Sequence, residues 1–396
     1  MSVKSPATPA APPFYVQRMW LFFAGYFLFG GVAVPFFPVW LETRGLSDVE
    51  IAQVIAIPML VRVFLTPFAG LYADRAPNRR FAVITFTLPA AFVYLFAWPA
   101  EGFWPLLITT GAAFTIWGLA LPPAEALALT GVRRFKLDYG RMRMGGSIAF
   151  IAANLGAGAL LGIFTNEAIY FFILFAMITS VAVSFVLPVT PPDVRALDDA
   201  AKPDTRPSRE VLGNVAFLTL MVAVSLVQAS HTMLYAFGSI EWTRLGYTGF
   251  DIGAFWAFSL ACEIALFIFA KQLLGRFSAY AFLLIGASAT ILRWVLFPFV
   301  PPLGFVGFAL LQCLHGLTFG ATYLGTQQMI ARLIPDRMTA SAQGIFAMAT
   351  GGLMAAGTSI AGPIYHAYGI DGFLFMAPVA GAGLLLLLAI RRYARG

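Results

Sequence analysis

The sequence predicts an all-α membrane protein, with twelve transmembrane helices arranged as two pseudo-symmetric six-helix bundles. Three observations predict it. Of the 396 residues, 60% are hydrophobic and only 11% are charged, whereas soluble domains carry about 25% charged residues. The apolar residues fall into twelve runs near the roughly 20 residues that a bilayer requires. The one long polar stretch, Pro191 to Glu210, carries mixed charges and four prolines and divides the runs six and six.

The runs lie at 18–40, 49–72, 81–99, 103–132, 141–164, 168–188, 212–240, 250–274, 279–299, 303–333, 339–366 and 371–390. With their loops they use up the chain, so no separate soluble domain is expected. Residues 1–17 are Pro/Ala-rich, without a cleavable signal pattern, and read as a disordered cytoplasmic N-terminus. Residues 18–190 form the first bundle, 191–211 a flexible cytoplasmic linker, and 212–396 the second bundle.

Placement of the basic residues predicts orientation. Of 25 Lys and Arg, 21 fall on one side in loops and helix ends; Arg44 and Arg244 fall on the other, and Arg62 and Arg293 lie within runs. Cytoplasmic loops carry such an excess, so both termini are expected inside, in the cell inner (plasma) membrane. The same bias accounts for the net charge of +7 without nucleic acid. Cys262 and Cys313 sit in apolar runs and read as core thiols, not a disulfide or metal site. No cofactor is expected. No Gly-rich phosphate loop ending in Gly-Lys-Ser/Thr occurs, which argues against an ATP engine. His231, His315 and His366 are too scattered for an enzyme's nucleophile or metal cluster.

Ionisable residues inside a membrane are expensive and mark pathways, pairs or cavities. Glu125 lies in the fourth run, and Arg143 enters the fifth just past the short loop Arg133–Tyr139. Antiparallel helices would bring the two to similar depth, as a pair that can also offer hydrogen bonds to a substrate. Arg62 is mid-run. In the second half, Gln228, His231 and Tyr235 are spaced to share one helical face. Trp256 precedes Glu263 by two turns in the eighth run, and Arg293 stands in the ninth. Gln312, His315 and Thr322 are expected on one face of the tenth. The abundant phenylalanines read mainly as lipid-facing and packing groups, and His366 as a surface residue at the outer end.

Several of these runs carry a resemblance. Gly140-Arg141-Met142-Arg143-Met144, with Glu125 before it, resembles the middle of the first half of lactose permease-related members of the major facilitator superfamily. The carboxylate, arginine and histidine of the eighth, ninth and tenth runs are similar to the same branch. Leu314-His315-Gly316-Leu317-Thr318-Phe319-Gly320, together with Arg62 in its run, is similar to the phenylpropionate permease-like group. Gly70 to Arg80, with Asp74, Arg75 and Arg79, resembles the superfamily's cytoplasmic loop motif, although its second Gly is missing. In the branch, a glutamate three residues past the histidine carries protons; here that position is Thr318.

The resemblance implies a monomeric secondary transporter working by alternating access, driven by protons. Mid-membrane Arg62, Arg143 and Arg293 outnumber Glu125 and Glu263, which suits an organic anion, and an aromatic or other carboxylate is the expected substrate. Substrate contacts are expected from Arg62, Glu125, Arg143, Gln228, His231, Tyr235, Trp256, Arg293 and Thr322. Proton coupling is assigned to Glu263, His315 and Glu125, and gating to Asp74, Arg75 and Arg79. The alternatives are a proton-coupled sugar or nucleoside permease, or a membrane sensor that transports nothing.

Overall fold

A computed structural model describes residues 11–189, 209–335 and 338–391. Residues 1–10 and most of the expected linker lie outside the described residues. Among the described residues every regular element is helical. The first half contains α1 (Tyr15–Thr43), α2 (Asp48–Arg75), α3 (Arg79–Tyr94), α4 (Phe103–Gly118), α5 (Leu121–Phe135), α6 (Tyr139–Leu160) and α7 (Ala168–Ser184). The second contains α8 (Val215–Ala229), α9 (Ser239–Arg244), α10 (Gly249–Ile268), α11 (Ala279–Leu296), α12 (Gly304–Cys313), α13 (Thr322–Leu333), α14 (Thr339–Tyr368) and α15 (Met376–Ala389).

Nine helical runs among the described residues are long and apolar enough to cross a bilayer; one, Ser341–Ala389, contains both α14 and α15. Local chemistry sets the boundaries. Capping boxes start α2 (Ser47 with Glu50) and α10 (Thr248 with Asp251), satisfying the free amides of the first turn. Asn78, Asp138 and Ser278 cap α3, α6 and α11. The expected fourth run is broken at Leu119–Ala120, and Pro122 and Pro123 then open α5, where no intrahelical amide bond is due. The seventh and tenth runs each contain a π-helical segment, Leu234–Gly238 and Gly316–Ala321. Such segments shift the register of every later side chain.

The halves meet along two seams, α2 against α14 and α6 against α10. Glycines make both close. Gly158 meets the Gly249 backbone, Gly253 meets the Asn154 backbone, and a Cβ on Gly362 would lie 2.6 Å from the Ala52 Cβ. These contacts all lie toward the arginine-poor end of the helices. There Arg244 donates to Glu42 Oε1 at 2.8 Å and to Asp48 Oδ1 at 3.1 Å, both from the other half. Its guanidinium also reaches the Tyr365 hydroxyl (3.3 Å), which donates to Glu241 at 2.6 Å, and His366 approaches Asp48 at 3.3 Å. The arginine-poor end is closed.

At the opposite, basic end, Asp74 and Arg75 are exposed and make no side-chain hydrogen bond or ion pair among the described residues. Arg79 turns inward within its own half, donating to the Ala126 carbonyl (3.0 Å) and Thr130 Oγ1 (2.5 Å). In this conformation the charged contact between the halves is made at the other end by Arg244, 202 residues from Glu42 in the chain. Half-exposed ion pairs contribute only about 0.2–1 kcal/mol each, so Arg244→Gln is expected to loosen this closure several-fold without unfolding the protein. Pulsed spin-label distances between Glu101 and Leu303, with both native cysteines changed to Ser, should then show a larger long-distance population.

Candidate functional site

Between the halves lies a cavity of about 420 Å³ with two unlike walls. The first-half wall is apolar: Phe29, Ala33, Val34, Phe37 and Pro38 of α1, Ile55 and Met59 of α2, Phe114 of α4 and Phe150 of α6. The spacing of 29, 33 and 37 puts one stripe of α1 on the cavity. The second-half wall carries Tyr235, Trp256, Ser259, Leu260, Glu263 and His315. Glu263 is the only carboxylate among the lining residues. The expectation that the phenylalanines serve lipid and packing is therefore corrected for four of them. A ring facing lipid and a ring facing an apolar cavity give the same signal in sequence.

Behind the second-half wall, Arg293 is fully buried. Its guanidinium donates to Gln312 Oε1, to His315 Nδ1 at 3.2 Å and to Thr318 Oγ1 at 3.3 Å. Because an arginine only donates, His315 Nδ1 must accept, and the ring's proton is on Nε2. That nitrogen faces Glu263 Oε2 at 3.6 Å. His231 takes the other tautomer. Its Nδ1 donates to the Val227 carbonyl at 3.1 Å, and its Nε2, 3.0 Å from Thr318, accepts the hydroxyl proton that Arg293 leaves free. One buried cation thus assigns the tautomers of two neutral histidines. It touches no carboxylate; Glu263 lies beyond His315.

Thr318 is the joint of this arrangement. Thr318→Val is expected to destabilise the full chain in detergent by about 1 kcal/mol, the usual scale for a hydrogen bond inside a membrane protein. A thermal-shift measurement should show the loss, and Thr318→Ser should restore the wild-type Tm.

On the first-half side, the predicted pair forms: Arg143 Nε lies 3.4 Å from Glu125 Oε1. Tyr139 donates to the other carboxylate oxygen at 2.8 Å, and the Arg143 guanidinium sits 3.8 Å from the Phe27 ring centroid. Both side chains keep more than a quarter of their surface accessible, and neither lines the cavity. Arg62 stands mid-way along α2, about 20 Å from either end by helical rise. It lies across Gly118, where a Cβ would sit 2.6 Å from its Cδ. The neighbouring Trp117 stacks on Tyr26 at 3.7 Å. The Arg62 side chain makes no hydrogen bond or ion pair among the described residues and is exposed. Gly118 supplies the room at the α4–α5 break that lets this cation lie flat.

Other expected contacts fall elsewhere. Gln228 is buried in α8. Thr322 is fully buried, bonded to the Thr318 carbonyl and packed on Gly286 of α11. Helical periodicity put it beside Gln312 and His315, but the π segment Gly316–Ala321 turns it away. Tyr235 and Trp256 do line the cavity, their rings 5.9 Å apart, and the Trp256 indole donates to Ser239. Sequence reasoning missed Ser259, which donates to Gln312 Oε1 at 2.7 Å, and Tyr139. Ser259 sits three and four residues from Trp256 and Glu263, on the face they mark.

The family model described as the MFS_1 like family matches residues 17–377. The chain belongs to that family. A probable 3-phenylpropionic acid transporter of Escherichia coli (strain K12) is 28% identical over 368 residues, covering 91% of this chain and 94% of the relative. A maltose permease of Geobacillus stearothermophilus is 26% identical over 381 residues, 95% and 94% of the two chains. The solved nucleoside transporter NupG superposes with a TM-score of 0.80 at 17% identity, covering 96% and 99%. This MFS_1-like chain is therefore a multi-pass membrane transport protein with the major facilitator fold, and not an enzyme.

Proposed function

We propose that this MFS_1-like chain moves a small aromatic carboxylate together with a proton, by alternating access. The observation that carries the reading is Arg62, a guanidinium without a side-chain partner among the described residues, mid-way along a membrane helix and one turn beyond Met59, which lines a cavity whose first-half wall is entirely apolar. Once the cavity closes around it, an uncompensated charge at that depth costs about 2.5–3.5 kcal/mol even on the lenient insertion scale. A carboxylate arriving with an apolar body would relieve that cost and fill the cavity. The two other mid-membrane arginines already have partners, Arg143 in Glu125 and Arg293 in Gln312, His315 and Thr318. The 3-phenylpropionate named for the relative is a ring bearing a carboxylate, which fits both features.

Glu263 is the proposed proton carrier. It faces His315 Nε2–H on the cavity wall, and no arginine contacts it. The basic end is proposed to face the cytoplasm, which makes the conformation with the arginine-poor end closed an inward-facing one. The two bundles, 18–190 and 212–396, are the proposed rocking units. A second reading, a sugar or nucleoside permease, draws on the Glu125–Arg143–Tyr139 cluster and on the maltose permease relative.

Binding to the full chain in detergent, followed by isothermal titration with 3-phenylpropionate, its amide, maltose and uridine, separates the two. The carboxylate reading expects the acid to bind and the amide to fail. Equal binding of acid and amide, or binding of maltose or uridine alone, would overturn it.

A further inference from the structure

The apolar wall is not uniform. Phe114 is held in place from three sides. Its ring meets Phe29 edge-on (4.9 Å between centroids, 87° between planes) and Phe37 at 4.7 Å and 57°. Behind it, Tyr94 lies nearly parallel at 5.8 Å and 20°. Tyr94 is itself stacked on Tyr170 at 5.0 Å and 16°. The Tyr94 ring is fully buried and its hydroxyl has no hydrogen-bond partner among the described residues. Phe114 is only half-buried, so one part of it packs on this ladder while another faces the cavity.

We propose that Phe114 is the specificity-determining residue of the cavity: its fixed ring sets how large a ring the site accepts and covers the polar Tyr94 behind it. The proposal rests on the aromatic-carboxylate reading above. A ring held by one edge-to-face contact and two further ring contacts cannot swing aside as an isolated rotamer could, because all three would be lost together. A single-ring acid then finds a complementary wall, and a two-ring acid collides with it. Removing the side chain would extend the cavity by about one ring, up to the face of Tyr94. Enlarging it would push the wall into the space of the first ring while leaving Arg62, Glu263 and His315 untouched.

The test measures binding of 3-phenylpropionate, 3-(2-naphthyl)propionate and hexanoate to the full chain by isothermal titration. Wild type should prefer the phenyl over the naphthyl acid by about tenfold or more, the scale of a steric misfit of 1–3 kcal/mol. Phe114→Ala should reverse that order. Phe114→Trp should weaken the phenyl acid about tenfold while hexanoate changes less than about threefold; this variant keeps the proposal testable should the smaller residue fail to fold. A phenyl-to-naphthyl ratio unchanged in both variants would overturn the proposal and leave the carboxylate reading intact. Wild type that binds none of the three acids would instead remove the carboxylate reading, and this proposal with it.

Discussion

Arg62→Gln is expected to lower the affinity for 3-phenylpropionate by about 10- to 150-fold, the value of a charge-assisted hydrogen bond of 1.5–3 kcal/mol. The protein itself should not suffer. Among the described residues Arg62 has no hydrogen-bonding partner to orphan and no counterion, and the substitution removes a charge that lies mid-way along a membrane helix. The Tm of the variant should therefore equal or exceed that of wild type while binding is lost. Arg143→Gln is the informative contrast. It strands Glu125, whose remaining partner is Tyr139, so a loss of stability is expected there. Isothermal titration and thermal shift on both variants check the pair of expectations. An Arg62→Gln protein that binds the acid as tightly as wild type would remove Arg62 from the site.

The second large effect concerns Glu263. Glu263→Gln keeps the shape of the wall and a hydrogen-bond acceptor toward His315 Nε2, but it can no longer take up a proton. Accumulation of 3-phenylpropionate in proteoliposomes under an imposed proton gradient is expected to vanish. Exchange of labelled for unlabelled substrate across the membrane, which needs no net proton movement, should continue. The sign of the pH dependence follows from the same role. In wild type, uptake rises as pH falls on the side from which proton and substrate enter, since the carrier loads there. In the variant, exchange is flat with pH over the same range. If Glu263→Gln still accumulates substrate, the proton travels elsewhere, and Glu125 is the remaining mid-membrane carboxylate.

Much of this architecture is legible in the sequence because a bilayer enforces it. The long apolar runs have one physical explanation, and the family match across residues 17–377 agrees with the membrane fold they predict. Glu125 and Arg143 could be paired in advance, because two antiparallel helices with a short loop leave them little choice. The displacement of Thr322 has its cause in a local departure from the α-helix. Thr322 follows a π segment that periodicity cannot see.

Long-range meetings were hidden for a different reason. Nothing local marks Arg244 as the partner of Glu42 and Asp48, since the contact exists only when two halves of the chain meet. Phe114 was hidden by composition, one ring among 39 phenylalanines with the same apolar signal whether it faces lipid or substrate. Arg293 shows the converse case. Its presence in a membrane run was evident, but only the buried geometry shows its guanidinium spent on Gln312, His315 and Thr318. Among the mid-membrane arginines, Arg62 is the one with no side-chain hydrogen bond or ion pair to another described residue.

The central claim is that a carboxylate and a proton cross together, and the most direct measurement is substrate-driven proton movement in proteoliposomes. The full chain would be reconstituted in vesicles containing a pH-sensitive dye and given 3-phenylpropionate outside, with no imposed gradient and the membrane potential clamped by valinomycin and potassium. Acidification of the lumen that saturates with substrate and disappears in Glu263→Gln is expected. Saturable uptake of labelled 3-phenylpropionate with no change in luminal pH would contradict it.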